Sequence, residues 1–164
     1  NYGANQAQGE VYYFVHADTY PPINFAEHLL NSLQADFSAG CFRLGFNERH
    51  WALDLCAWSL RWPVRYFRFG DQTLFVHSAL FKKTKGYRSD YLVMEDHEFV
   101  SRLYKSGRFR VIPVAVKTST RKFRKNGVLR LLLIFTLLYD MYYLGFTQQQ
   151  LSNTYRRLIR QGKV

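Results

Sequence analysis

The sequence predicts an α/β domain, a mostly parallel sheet flanked by helices and followed by a basic, apolar helical extension. Three features lead there. Runs such as Val11-Tyr12-Tyr13-Phe14-Val15 are continuously apolar and rich in strand formers, as interior strands of a parallel sheet are. Between such runs lie segments with apolar residues at helical spacing, Phe25, Leu29, Leu30 and Leu33 among them. At 164 residues, with 48% hydrophobic and 18% aromatic content, the chain can bury one real core and is too apolar to be disordered.

In chain order, Tyr2 to Gln8 reads as the end of a short helix closed by Gly9. The strand from Val11 stops at His16-Ala17-Asp18-Thr19, ahead of Pro21-Pro22, and ligands of open α/β sheets gather beyond such strand ends. Asp18 is either the cap of this turn or an active-site acid. A helix over Asn24 to Leu33 follows, then a half-buried strand from Ala39 to Phe46. In residues 49–67, Trp51, Leu55, Trp58 and Trp62 recur at helical spacing; such a stripe faces a core or a partner more readily than it makes an aromatic sugar platform. Phe69-Gly70-Asp71-Gln72 reads as a constrained loop before a strand from Thr73 to Val76 and a short helix from Ser78 to Lys83.

Glu95-Asp96 opens a periodic helix through Phe99, Val100, Leu103 and Tyr104 to a stop at Gly107. Acids at a helix start suit its dipole, so the pair reads as a helix start as readily as a site. Arg108 to Val116 is the last strand, and Thr118 to Gly127 a basic loop holding Arg121, Lys122, Arg124 and Lys125. Val128 to Leu144 is almost wholly apolar, but its longest uncharged stretch, Leu131 to Tyr139, is far short of the ~20 residues a bilayer core requires.

Charge divides the chain sharply. Of 23 Lys/Arg and 12 Asp/Glu, residues 101–164 hold fourteen bases and a single acid, Asp140. The net charge of +11 therefore sits in the C-terminal third and favours an anionic partner, whether a lipid surface, a nucleic acid or a phosphorylated substrate. With the basic loop before it, Tyr139, Tyr142 and Tyr143 within it, and Arg156, Arg157 and Arg160 after it, the apolar helix has the makings of a membrane-surface anchor; packing on the domain or a second subunit is the alternative. No aromatic-rich RNA-binding signature favours nucleic acid. Cys41 and Cys56 have no metal-ligand spacing and are too few for a disulfide scaffold, so a reducing, cytoplasmic setting is expected, with peripheral contact at the inner membrane face.

No Cys/His cluster, phosphate-binding loop of the GxxxxGK[ST] type or GxSxG elbow occurs, which removes support for zinc, P-loop and α/β-hydrolase chemistry. What remains is acids at strand ends and loops: Asp18, Asp71 and Glu95-Asp96. Such a set suits group transfer from a phosphate-activated donor. One carboxylate can hold a divalent cation against a departing diphosphate, a second can take the proton of an attacking hydroxyl, and nearby bases can stabilise the leaving group.

In order, Asn1-Tyr2-Gly3, Ala7-Gln8-Gly9-Glu10, His16-Ala17-Asp18-Thr19, Ala39-Gly40 with Phe42-Arg43, Gly70-Asp71-Gln72, Gly86-Tyr87 and Met94-Glu95-Asp96 resemble glycosyltransferase family 2. More narrowly, the set is similar to the bacterial radical-SAM/selenodomain-associated branch. The resemblance runs through residues 1 to about 125 and implies a GT-A (Rossmann-like) fold, a nucleotide-sugar donor, a hydroxyl acceptor, Mg or Mn, and inversion at the anomeric carbon. It implies Asp18 as the metal and diphosphate contact, with His16 where the family's motif has its first acid. Asp96 would be the general base, with Glu95 orienting the acceptor. Asp71 and Gln72 would line the acceptor side, while Arg121 and Arg124 sit where a basic loop could meet the diphosphate.

The expected organisation is a catalytic core over 1–126, N-terminally incomplete by a nucleotide-binding part of several dozen residues, and a helical extension over 127–164. The competing reading is a non-catalytic basic module that docks on anionic membrane or nucleic acid through its C-terminal third.

Overall fold

In the computed structural model, which describes residues 1–62, 68 and 72–160, the apolar runs form one five-stranded sheet. The strands are β1 (Val11–Phe14), β2 (Thr19–Tyr20), β3 (Ala39–Phe46), β4 (Leu74–His77) and β5 (Phe109–Thr118), laid out as β1-β4-β3-β5-β2. Only β3 and β5 run parallel; β1 with β4, β3 with β4, and β2 with β5 are antiparallel. The α/β expectation holds, but the sheet is mixed instead of mostly parallel, and β1 lies at an edge instead of inside.

The reason is visible in what β1 packs against. Tyr12 and Phe14 enter one apolar cluster with Leu74, Phe81 and Phe99, while Val11 and Tyr13 enter another with Phe42, Phe75 and Ile112. A strand covered on both faces is continuously apolar whatever its direction or rank in the sheet.

Eight helices accompany the sheet among the described residues: α1 (Tyr2–Gln6), α2 (Phe25–Gln34), α3 (Trp51–Ser59), α4 (Ser78–Lys83), α5 (Glu95–Ser106), α6 (Arg121–Asn126), α7 (Val128–Tyr143) and α8 (Gln148–Leu158). Helices α4 and α5 cover one face through Leu80, Phe81, Phe99, Val100 and Leu103, and α2 covers the other through Leu29. Gly40 lies where β3 passes from β4 to β5. A Cβ there would sit 2.3 Å from the Arg110 carbonyl oxygen and 2.5 Å from the Phe75 ring, so only glycine lets the backbones close. Further along, the β3/β5 register skips Pro113 and Val114, a bulge at the one residue of β5 without an N–H to donate.

A third cluster joins the C-terminal helices to the core. Leu131, Ile134 and Leu138 of α7 and Leu151 of α8 pack with Leu53 of α3 and Phe123 of α6. Two segments depart from the sequence reading here. The basic stretch after β5 is helical, forming α6, and α8 follows a capping box in which the Thr147 and Gln150 side chains each bond the other's backbone N–H. The Trp51, Leu55, Trp58 stripe turns away from the core: all three are more than half exposed, whereas Ala52 and Leu53 are buried. No helix among the described residues is long and apolar enough to cross a membrane.

Candidate active site

Three segments distant in sequence converge at one end of the sheet. The chain leaves β1 and turns at His16 to Thr19, where the Thr19 N–H donates to the His16 carbonyl at 3.0 Å. β2 then pairs with the end of β5, and the Thr19 and Thr118 hydroxyls meet at 3.2 Å. The Asp18 carbonyl accepts from the Ser119 N–H at 3.0 Å, and the Ser119 hydroxyl accepts from the Arg121 N–H at 3.2 Å. The turn carrying Asp18 is thus tied to the start of basic helix α6.

The third segment is the N-terminus of α5. His16 Nε2 lies 3.6 Å from Asp96 Oδ2, both side chains partly open to solvent. Asp96 and Glu95 are the first two residues of α5, entered from Met94 in a left-handed conformation (φ 63°) that a β-carbon disfavours. Burial is the main influence on Glu95 and, aided by the Asp96 charge, pushes its carboxyl above the ordinary glutamate range; a main-chain hydrogen bond and His16 pull the other way. The raised value means that the carboxyl favours folding when protonated and loses that contribution as pH rises through its folded-state value. Glu95→Gln is therefore expected to raise the melting temperature at neutral pH, with the gain vanishing in acid. Thermal melts at the two pH values check this.

Around the acids stands a supporting set to which the sequence reading assigned no role. Tyr87 is pushed well above its ordinary range by burial, with the charges of Asp96 and Glu95 adding. Its backbone is clamped by the Asn1 side chain, whose Oδ1 accepts from the Tyr87 N–H at 2.9 Å and whose Nδ2 donates to its carbonyl at 2.6 Å. Gly86 beside it (φ +60°) has no room for a Cβ, which would fall 2.6 Å from Asn1 Oδ1. The Asn1 and Gly86-Tyr87 motifs are therefore two halves of one contact. Arg102 holds the same loop to α5, paired through two bonds of 2.7 Å with Glu98 and donating to the carbonyls of Thr84 and, at 2.7 Å, Gly86.

His97, next to Asp96, is buried. Its Nδ1 lies 3.1 Å from the Arg68 carbonyl, which can only accept, so Nδ1 carries the proton and Nε2 accepts from the Tyr143 hydroxyl at 2.7 Å. That bond fixes the C-terminus of α7 against the N-terminus of α5.

The remaining expected site residues fall as follows. Asp71 lies outside the described residues. Gln72 is fully buried, and its Oε1 accepts from Arg68 Nη1 at 2.9 Å and from the Cys41 thiol at 3.5 Å. The acceptor-lining expectation does not carry over to this side chain, because its carbonyl is committed inside the core. Burial likewise pushes the Cys41 thiol up to about 11. Arg124 pairs on the surface with Glu48 at 3.3 Å, while Arg121 is exposed at the start of α6. No three metal-ligating side chains come together among the described residues. Asp18 alone can offer an oxygen at the end of β1, His16 being turned to Asp96. One carboxylate is compatible with an Mg or Mn ion only where substrate phosphates supply most of the other oxygens.

No family model matches the chain, and no curated protein sequence matches it. Among solved structures it is similar to the mannosyltransferase PcManGT from Pyrobaculum calidifontis in complex with GDP-Man and Mn2+, with a TM-score of 0.60 and 17% identity over 96% of this chain. The fold is glycosyltransferase-like. The chain spans about half of that protein, 48% of its length. The turn after β1 is thus bonded to the start of α6 and, through His16, lies beside the N-terminus of α5.

Proposed function

We propose that the chain transfers a sugar from a nucleotide-sugar donor to an acceptor hydroxyl, as a member of glycosyltransferase family 2. The observation that carries this reading is the 3.6 Å approach of His16, at the end of β1, to Asp96, at the start of α5, with Asp18 two residues from His16. On this reading an acid able to face a diphosphate and an acid able to take a proton would share one site. The fold likeness to a mannosyltransferase bound to GDP-Man and Mn2+ supports the same donor class.

In the proposed reaction, the acceptor oxygen attacks the anomeric carbon and Asp96 takes the hydroxyl proton. The new carbon–oxygen bond forms as the bond to the diphosphate breaks, the leaving group departing with the electron pair on the opposite face, so the configuration inverts. Asp18 would hold Mg or Mn, whose chemistry is to neutralise charge on the departing diphosphate. Arg121 adds a cation on the leaving-group side. His16 keeps a polar partner on Asp96, and Glu95 beside it would orient the acceptor.

The test is transfer and donor binding by the full-length protein across a panel of nucleotide sugars with manganese. Asp18→Ala is expected to weaken manganese-dependent donor binding by at least ~10–100-fold, the scale of disrupted metal sites. Unchanged donor binding in that variant would refute the role given to Asp18.

A further inference from the structure

The C-terminal helices form a cleft that the proposed chemistry does not use. Arg130 of α7, Arg156 and Arg157 of α8, and Arg160 beyond it line a cavity of about 840 Å³ together with Leu158 and Ile159. Arg130 is held in place, donating to the Leu158 carbonyl at 2.8 Å and to the Asn126 carbonyl at 3.4 Å. Arg160 is held through its backbone by Asn126, whose Oδ1 accepts its N–H at 2.8 Å. No ion pair among the described residues involves any of the four guanidinium groups. Four cations in one concave site without a carboxylate define a site for phosphate oxygens.

Beside the cleft runs an apolar ridge. Leu129, Leu133 and Leu137 recur every four residues along α7 and are 52%, 71% and 45% exposed, while Leu131, Ile134 and Leu138 on the opposite side are buried. On a helical projection Arg130 lies between the ridge and the buried side, one turn from Leu133, and the ridge runs on past it for about 12 Å. Asp140, the single acid of residues 101–164, is exposed on the same face just beyond Leu137, at the end of the ridge away from the cleft and nearly three turns from Arg130.

We infer that this ridge and cleft are a docking surface for an anionic phospholipid bilayer: the leucines enter the acyl boundary and the arginines take headgroup phosphates. Cationic residues around an apolar helix face are the pattern of an interfacial helix lying in the membrane plane. A soluble polyanion or a nucleic acid would use the arginines but leave the leucines in water. A second copy of the chain, itself carrying +11, would set like charges against each other across the same face. The surface is independent of the chemistry assigned to the acids at the other end of α7, so it stands or falls without a transfer assay.

The experiment is flotation of the full-length protein with vesicles of phosphatidylcholine alone or mixed with phosphatidylglycerol, alongside sedimentation for self-association and a shift assay with RNA. Binding to the mixed vesicles only, weakened by salt, is expected. The exposed pair Arg156→Gln/Arg157→Gln should lose about 30-fold in partitioning, the scale for two basic residues at an anionic surface. Leu133→Gln/Leu137→Gln should weaken partitioning while the residual binding keeps its salt dependence. No affinity for the mixed vesicles overturns the inference, as does wild-type partitioning by either variant. Binding of RNA in place of vesicles, or a dimer that the leucine variant dissolves, overturns it equally.

Discussion

Asp96→Asn is expected to lower the transfer rate by about 10²–10⁴-fold, the usual contribution of a positioned general base. The substitution keeps the side chain's shape and its place as the second residue of α5. It removes only the capacity to accept a proton and the charge 3.6 Å from His16 Nε2. Donor binding, which the proposed reaction assigns to Asp18 and Arg121, should change little, so the loss is expected in kcat with KM for the donor nearly constant. Steady-state kinetics measure the split between kcat and KM, and unchanged kcat in the Asp96→Asn variant would remove Asp96 from the chemistry.

The elements that the sequence shows well are those whose signal is local. Ser78–Lys83 and the helix from Glu95 to its stop at Gly107 match the expected spans because capping and periodicity lie within each segment. What sequence reading missed depends on partners far away. The direction and edge position of β1 are set by β4, more than sixty residues downstream, and the apolar run reads the same either way. His97 meets Tyr143 across 46 positions, and no local pattern announces that a histidine beside an acid will bond a tyrosine at the end of another helix. Gln72 illustrates the converse: a polar residue in a loop motif suggests a surface role, yet Arg68 and Cys41 satisfy it within the core. Periodicity found the Trp51, Leu55, Trp58 stripe but could not say which side of α3 the domain would cover, since Ala52 and Leu53 fill that side with less bulk. The Thr147 and Gln150 capping box was the one missed signal that local reading could have used, and it opens α8, on which two of the cleft arginines lie.

Phe99→Ala is expected to cost about 3–5 kcal/mol of stability, the range for deleting a buried aromatic ring without refilling its space. Phe99 is wholly buried on α5. Its ring meets Phe81 edge-on at 5.6 Å and Tyr87 at 4.5 Å, and the Arg102 guanidinium lies over it at 5.1 Å. These contacts make it the point where the sheet-facing core, the loop bearing Tyr87 and the clamp from Arg102 meet. At about 2–4 °C per kcal/mol for a chain of this size, the melting temperature should fall by roughly 6–20 °C. That is a large share of the ~5–15 kcal/mol by which domains are stable. Asp96→Asn, on the open rim of the same helix, should leave the melting temperature near that of wild type. Calorimetry on the two variants thus separates the helix's packing role from its chemistry. A Phe99→Ala protein that melts within a degree or two of wild type would mean that α5 is not anchored through this ring, and that the acids at its start are positioned by the Arg102 and His97 hydrogen bonds alone.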